Sequence, residues 1–274
     1  MPTPPPTPTP PPETAALNFI IAAAVPDQPF ATMGGIVRPD GNQIPVASTA
    51  AADQARLRYD SVSGQYQIQV PAGSSWEALF FNREAGNFYT QGPGSPYILF
   101  WQSRSSGYQY SALAALYQDP SAVGVYAAGN AFGIPTPVGA VPTTGSATYN
   151  GSIVGFSTET VSDFGAWSAA NVEGSIALSF NFGAGTLAGT ASPTIRFGTN
   201  SYALSPLTFT NTVYSTGSTT FSGTFDTNLA GANSFAGQFT GPAAQELIGN
   251  FLFPYTSHDN GNVYQATGAF VAKK

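Results

Sequence analysis

The sequence of 274 residues contains no cysteine and a single histidine, His258. Without cysteine it cannot form a disulfide scaffold, a cysteine-ligated zinc site, an iron–sulfur cluster or a thiol nucleophile. One histidine also excludes a metal site built from several imidazoles. Charge is scarce as well, because only 8% of the residues are charged, against about 25% in an average soluble domain. The net charge is -6, and the few cations are not clustered as phosphate binding requires, so we expect no nucleic acid partner.

The familiar catalytic motifs are missing too. No Gly-x-Ser-x-Gly elbow precedes a helical segment, and neither a P-loop nor a paired-glycine dinucleotide fingerprint follows a strand. The acidic residues have neither the spacing of an EF-hand nor that of a carboxylate pair suited to glycan cleavage. A Ser-His-Asp triad would have to use His258. We therefore predict that the chain is not an enzyme.

The N-terminal end is rich in proline and threonine. Residues 1–13 favour the polyproline II conformation and have no apolar surface to bury, so we interpret them as an extended linker or stalk. The longest apolar stretch, residues 15–25, is too short to cross a bilayer, and we expect no transmembrane span. No signal peptide is recognisable after Met1, and we expect the native precursor to carry one, with a lipid-bearing cysteine as the candidate anchor.

The pattern between residues 14 and 141 predicts short β-strands. Residues 56–70 predict a hairpin, because apolar and glutamine side chains alternate after a turn at residues 60–64. A continuous apolar run at 97–101 predicts a strand that is covered on both faces. Residues 108–117 fit either a strand or a short helix, and we predict a strand.

Aromatic residues are concentrated between residues 76 and 117, around a segment at 82–96 that its glycines predict to be a long loop. Long loops on a rigid scaffold often carry recognition, and Tyr, Trp and Arg are enriched in binding hot spots. We therefore predict a ligand- or partner-binding surface within residues 82–110. The alternative is that most of these rings form the core of a thin β domain. The predicted binding residues are Arg83, Phe88, Tyr89, Arg104 and Tyr108.

From residue 146 onwards, bulky apolar residues alternate with small or neutral-polar ones. Phenylalanines flank a glycine in the Phe-x-Gly-x-Phe segments at 221–225 and 235–239, and residues 176–182 alternate in the same way. This pattern predicts an antiparallel barrel of about eight strands whose large rings fill the interior. An outer-membrane barrel would point these rings outwards, and we reject that alternative because we expect strands of six to eight residues, shorter than a membrane strand.

Several segments of the C-terminal half resemble one known family. The motif Gly-Pro-x-Ala-x-Glu-x-x-Gly runs from Gly241 to Gly249, and an ending Gly-x-x-x-x-Lys-Lys runs from Gly268 to Lys274. With the hairpin turn at residues 183–185, these segments resemble the barrel domain of the transferrin-binding protein B superfamily.

The resemblance implies an all-β protein with an N-terminal β-rich handle domain at residues 14–141 and a C-terminal eight-stranded antiparallel β-barrel at residues 142–274. It implies an exported protein, lipid-anchored at the cell outer membrane surface or secreted. Such a protein captures a nutrient ligand (haem, iron or a metal carrier) or a protein partner for an outer-membrane transporter, such as a TonB-dependent receptor. The alternative is a structural or adhesive surface lipoprotein with no small-molecule ligand.

Two further polar residues stand out in the C-terminal half. His258 lies in a polar loop between the last two predicted strands, and it is our candidate ligand for haem iron, the one cofactor that we consider. The alternative is an exposed loop histidine beside Asp259. Glu246 has no second acid at a recognisable spacing, so we predict that it accepts hydrogen bonds from backbone N–H groups of the turn between two strands.

Overall fold

The computed structural model describes residues 21, 27–40, 44–70, 75–82, 87–90, 97–103, 106–117, 127–160, 169–197 and 199–274. Within these ranges the chain consists mainly of β-strands and loops, with a short 3-10 helix at Ala51–Asp53. The all-β prediction is therefore confirmed. The proline-rich segment 1–13 and two predicted binding residues, Arg83 and Arg104, lie outside the described residues.

The N-terminal half contains ten strands in two sheets. The strands are β1 (Ala31–Pro39), β2 (Pro45–Ser48), β3 (Arg56–Asp60), β4 (Gln65–Gln69), β5 (Glu77–Ala78), β6 (Phe80–Asn82), β7 (Asn87–Tyr89), β8 (Tyr97–Gln102), β9 (Ser111–Tyr117) and β10 (Ala127–Gly133). Seven of them form an antiparallel sheet in the order β2-β1-β10-β9-β8-β7-β6, which we call the handle sheet. The other three form the small sheet, in the order β3-β4-β5.

The predicted hairpin at residues 56–70 is present as β3 and β4. Its turn is closed by a hydrogen bond of 2.9 Å from the Gly64 N–H to the Asp60 carbonyl oxygen, and Gly64 has a φ of 68°, a conformation that favours glycine. The inner face of the small sheet, with Leu57 and Ile68, packs in one core cluster with Ile36 and other apolar residues of the handle sheet. The predicted strands near residues 97–101 and 108–117 are also present, as β8 and β9.

The C-terminal half forms a second, larger sheet. Its strands are β11 (Ser146–Thr160), β12 (Ala169–Asn181), β13 (Thr186–Phe197), β14 (Asn200–Ala203), β15 (Leu207–Val213), β16 (Thr220–Phe225), β17 (Ser234–Thr240), β18 (Glu246–Thr256) and β19 (Val263–Lys273). Eight of them pair in the order β12-β11-β19-β18-β17-β16-β15-β13, and β13 pairs back with β12. We call this ring-like sheet the ring sheet.

The strand count and the strand lengths differ from the sequence-based expectation. The ring sheet has nine strands rather than eight, because β14 adds to β13 beside the eight strands that pair around the ring. Several strands are longer than the expected six to eight residues, and β11 has 15. The direction of the apolar face is as predicted, since Ile176 and Leu178 of β12 are buried while Ser175 and Ser179 are exposed.

Aromatic side chains fill the interior of the ring sheet. The core cluster contains ten large rings that are at most 3% exposed: Tyr149, Phe180, Phe182, Phe221, Phe225, Phe235, Phe239, Phe251, Phe253 and Phe270. The glycines between them make room for these rings. Phe221 pairs across the strands with Gly237, and Gly223 pairs with Phe235. A Cβ atom on Gly223 would lie 2.6 Å from Cζ of Phe235, and one on Gly237 would overlap Cζ of Phe221. Each ring therefore occupies the space above a glycine of the neighbouring strand.

The handle sheet packs against the outside of the ring sheet through a second apolar layer. Its buried members are Val37, Tyr108, Leu113, Ala115, Ala127 and Ala131 from the N-terminal half and Val154, Phe156, Ile248, Ala269 and Val271 from the ring. This contact explains why β9, β10, β18 and most of β19 are buried on both faces.

Glycine residues allow the backbones of the handle sheet and the ring sheet to approach each other closely in this layer. A Cβ atom on Gly129 of β10 would overlap the carbonyl oxygen of Val154 and lie 3.0 Å from Cα of Gly155. On the neighbouring strand β1, a Cβ atom on Gly35 would lie 2.5 Å from the backbone nitrogen of Gly268. Because backbone atoms cannot rotate away as a side chain can, larger residues at these positions would force the two sheets apart.

The proline-rich segment between the two halves is attached to the ring. The Thr136 N–H donates to the carbonyl oxygen of Phe239 at 2.9 Å, and the Gly241 N–H donates to that of Ile134 at 2.9 Å. The Thr136 hydroxyl also donates to the carbonyl oxygen of Gly241 at 2.7 Å. These bonds fix the chain to the β17–β18 turn just before it enters β11. A domain boundary at residue 141 stays a prediction.

Candidate functional site

The prediction of a loop throughout residues 82–96 is wrong, because residues 87–89 form β7 and pair with β6 and β8. Two of the predicted binding residues lie on this strand, on opposite faces. Phe88 is 5% exposed and belongs to the core between the handle sheet and the small sheet, with its ring 5.2 Å from that of Phe100 in an edge-to-face contact. Tyr89 is 37% exposed, and its ring centroid lies 5.8 Å from that of Phe80. Alternation along the strand thus leaves Tyr89 accessible to a partner and directs Phe88 into the core.

Tyr108 is buried where the handle meets the ring. It is 3% exposed, and the ammonium group of Lys273 lies 4.8 Å from the centre of its ring. Burial, together with the nearby carboxylate of Glu246, raises the pKa of Tyr108 to about 12. Its ring is therefore part of the contact between the sheets rather than of an exposed surface.

Glu246 connects the ring to the handle. It is 3% exposed, and its two carboxylate oxygens accept hydrogen bonds from the backbone N–H groups of Gln109 at 2.6 Å and Tyr110 at 3.0 Å. Burial raises the pKa of Glu246, and the two backbone hydrogen bonds partly oppose that rise. Glu246 satisfies backbone donors as predicted, but these donors belong to the segment before β9 instead of the turn that contains Glu246.

His258 lies in the loop between β18 and β19, at one end of the ring. Its side chain is 69% exposed and lies 3.4 Å from the carboxylate of Asp259. The imidazole is stacked on the ring of Tyr202, with 4.3 Å between the centroids and 14° between the planes. Haem pockets are enclosed and mainly apolar, so this open and polar environment does not fit haem iron coordination well. The role of His258 stays a prediction.

A buried polar network lies close to the same end of the ring. The carboxylate of Glu159, which is 4% exposed, accepts hydrogen bonds from the hydroxyls of Tyr255 at 2.6 Å and Ser257 at 2.5 Å. The Ser257 hydroxyl also accepts a bond of 3.1 Å from the Asp259 N–H. Burial, followed by the bond to Glu159, raises the pKa of Tyr255. This network fixes the loop that carries His258. Among the described residues, no group of three or more histidine, cysteine, aspartate or glutamate side chains could hold a metal ion.

A cluster that the sequence analysis did not select lies on the outer face of the small sheet. The Arg58 guanidinium carbon lies 4.5 Å from the centre of the Trp76 ring, and that of Arg56 lies 5.6 Å from it. Arg58 donates two hydrogen bonds, of 2.9 and 2.7 Å, to Oε1 of Gln67. Arg56 donates one of 3.4 Å to Oε1 of Gln69. We call these five residues the arginine face.

The sequence did contain a signal for the arginine face. Arg56 and Arg58 are two residues apart on β3, opposite Gln69 and Gln67 of β4, so their alternation with Leu57 places both on one side of the sheet. The contribution of Trp76 could not be predicted, because it depends on the pairing of β5 with β4.

The comparisons with known proteins point to one family. Residues 141–274 match the family model for the C-lobe and N-lobe beta barrels of Tf-binding protein B. This range, just under half of the chain, is similar to the transferrin-binding protein B barrels. The resemblance stated from the sequence motifs is therefore confirmed. Transferrin-binding protein B-like proteins are binding proteins and not enzymes, which agrees with the prediction that this chain is not an enzyme.

One solved structure extends the likeness in fold to the N-terminal half. A double mutant of the vaccine antigen Transferrin Binding Protein B from Haemophilus parasuis Hp5 has a TM-score of 0.50 and 17% identity, covering 89% of this chain and 44% of that one. Isotype 1 Transferrin binding protein B from serogroup B Neisseria meningitidis has a TM-score of 0.44 and 17% identity, covering 88% of this chain and 43% of that one. The chain thus spans less than half the length of these proteins, and the first match supports the fold alone. No curated protein matches the sequence.

Proposed function

We propose that the chain is a bacterial surface or secreted binding protein that captures an iron source, such as a transferrin-like carrier protein, and delivers it to an outer-membrane transporter. The family match of residues 141–274 supports this proposal, as do similar structures that are named as transferrin-binding proteins. A TonB-dependent receptor is the proposed transporter. Within the part of the chain that the structure describes, no helix is long and apolar enough to cross a membrane. We propose a lipid anchor in the native precursor.

The filled interior of the ring sheet is the observation that carries this proposal. Lipocalin-type barrels hold a small ligand inside, whereas here the interior is occupied by large aromatic rings such as Phe180, Phe239 and Phe251. In this proposal the eight strands that pair around the ring form an eight-stranded barrel, which supports the handle and holds no ligand inside. Binding takes place on the outer surface.

The handle, residues 14–141, is the recognition unit in this proposal. It is fixed to the ring by an apolar layer, by the close approach at Gly35 and Gly129, and by Glu246. A rigid support lowers the entropy cost of presenting a binding surface. We propose that Tyr89, together with Arg83 and Arg104, forms part of this surface. Phe88 and Tyr108 support it from within the core.

A binding experiment tests the proposal. Purified protein is passed over immobilised iron-loaded and iron-free transferrin in surface plasmon resonance, and a Tyr89→Ala variant is compared with a Val138→Ala variant as a control. Tyr89 is partly exposed on the handle, whereas Val138 is 94% exposed on the segment between the two halves. We expect saturable binding that Tyr89→Ala weakens several-fold and Val138→Ala leaves unchanged. Failure to bind either form of the carrier would favour the structural or adhesive alternative.

Surface exposure has a separate test. Intact cells that express the native precursor are treated with a protease that cannot enter the cell, and the protein is detected by immunoblotting. We expect the protein to be cleaved on intact cells or found in the medium. Protection in intact cells, with cleavage only after lysis, would contradict the proposed location.

A further inference from the structure

We propose that the arginine face of the small sheet binds an extended acidic segment of a partner protein, with carboxylates two residues apart. The inference rests on the proposed function only in assigning partner recognition to the handle. The arginine face consists of Arg56, Arg58, Gln67, Gln69 and Trp76, as defined above.

The two guanidinium groups lack a carboxylate partner among the described residues. The described arginines elsewhere are paired, Arg38 with Asp53 at 2.9 Å and Arg196 with Glu173 at 3.4 Å. Arg56 and Arg58 instead contact glutamine side chains and an indole ring. In a chain with a net charge of -6, two adjacent cations without an acidic partner are complementary to an acidic ligand.

The acidic groups close to this face, Asp27, Asp60 and Glu77, form no salt bridge with Arg56 or Arg58. Asp27 accepts hydrogen bonds from the backbone and side chain of Ser61, and Asp60 accepts them from those of Ser63. These bonds are the main cause of the lowered pKa of both aspartates, and Arg58 contributes less. Glu77 of β5 pairs with Ile68, whose side chain is buried, so Glu77 belongs to the opposite side of the sheet.

The geometry of the face suits carboxylates on an extended chain. Arg56 and Arg58 are two residues apart on a strand, which separates their Cα atoms by about 7 Å. An extended peptide has the same spacing between alternate side chains, so two of its carboxylates can meet the two guanidinium groups together. Stacking on Trp76 and bonding to Gln67 orient the planar guanidinium of Arg58 before binding, which favours bidentate contact with a carboxylate.

An acidic polysaccharide fits these observations less well. Long polyanions are bound by clusters of many cations, because their affinity depends on the number of counterions that are released. The arginine face offers two guanidinium groups. A short acidic protein segment needs no more than these, and Trp76 supplies the aromatic surface that is common in protein–protein hot spots.

The test uses two labelled peptides of twelve residues and the whole protein. One peptide alternates glutamate with serine, and in the other each glutamate is replaced by glutamine; binding is measured by fluorescence anisotropy. Arg56→Gln/Arg58→Gln removes the two charges from the face. The control Arg38→Gln/Arg196→Gln removes the same charge elsewhere, and circular dichroism checks that every variant is folded.

We expect the wild-type protein to bind the glutamate peptide at least tenfold more tightly than the glutamine peptide, and more weakly as salt rises. The Arg56→Gln/Arg58→Gln variant should bind the glutamate peptide at least tenfold more weakly than the wild type does. The affinity of the Arg38→Gln/Arg196→Gln control for this peptide should stay within twofold of the wild-type value. Trp76→Leu should weaken binding several-fold. Equal binding by the face variant and the wild type would overturn the proposal. So would a heparin oligosaccharide that binds the face more tightly than the peptide does.

The outcome can be separated from that of the proposed function. If transferrin binds the wild type and the Arg56→Gln/Arg58→Gln variant equally, the proposed function stands and the arginine face has no part in capture. If the peptide binds and no carrier does, the acidic-partner site stands without iron capture.

Discussion

Replacement of Phe239 by alanine tests the packing of the ring most directly. Phe239 is completely buried, and its ring centroid lies 4.8 Å from that of Phe180, 5.7 Å from that of Tyr149 and 5.7 Å from that of Phe221. Truncation of a buried phenylalanine to alanine costs about 3–5 kcal/mol, including the cavity that it leaves. We expect a loss near the upper end, because strands that pair on both sides cannot easily collapse into the space.

The assay is urea unfolding at 25 °C, followed by far-ultraviolet circular dichroism. Val213→Ala, at a residue of β15 that is 65% exposed, is the control and should change the free energy of unfolding by less than about 0.5 kcal/mol. The comparison requires similar slopes with urea for both variants. A loss below about 1 kcal/mol for Phe239→Ala would refute the argument, because it would mean that this ring is not packed inside a closed core.

The remaining predictions concern the contact between the sheets and the two isolated polar residues. Gly129→Ala should destabilise the protein by about 1–3 kcal/mol through overpacking, whereas Gly183→Ala, whose Cβ would meet its nearest atom at 3.7 Å, should be nearly neutral in thermal unfolding. Burial raises the pKa of Glu246 above 4.5, so the native state keeps this proton to higher pH than the unfolded chain does. The stabilisation that this proton provides is complete below pH 4.5 and is lost as the pH rises through the raised pKa; the stability advantage of the wild type over Glu246→Gln should therefore shrink from pH 4 to pH 7 in urea titrations. Hemin titration should give the same absorption spectrum for the wild type and His258→Ala, and a Soret shift that only the wild type shows would establish His258 as a haem ligand.

Local periodicity was sufficient to predict most strands and their buried faces, but not the lengths of the ring strands. Alternation with a period of two identified the hairpin at residues 56–70 and the inward direction of Phe221, Phe235 and Phe239, because every second side chain of a strand faces the same way. The family motif at residues 241–249 is also local, since it covers the turn between β17 and β18 and the first residues of β18. These features depend on neighbours in the sequence.

Contacts between distant segments could not be predicted in this way. Glu246 accepts hydrogen bonds from Gln109 and Tyr110, which precede it by 137 and 136 positions in the sequence. No local pattern specifies a pairing over such a distance. The burial of Tyr108 follows from the same contact. Phe88 and Tyr89 are neighbours with similar side chains, and only the position of the small sheet decides which of them is covered. For the arginine face, the pairing of β5 with β4 brings Trp76 to the two arginines.

The pairing of Phe221 with Gly237 and of Gly223 with Phe235 has a consequence for how this protein can change. Within each pair, the phenylalanine ring fills the space that a side chain on the glycine would need. The summed volume of the two side chains therefore matters more than which residue type stands at either position. A larger residue in place of either glycine is tolerated only when its cross-strand neighbour shrinks at the same time. Homologous sequences should therefore exchange large and small residues between these positions in a correlated way, and designers who wish to hollow out the ring must alter both members of a pair.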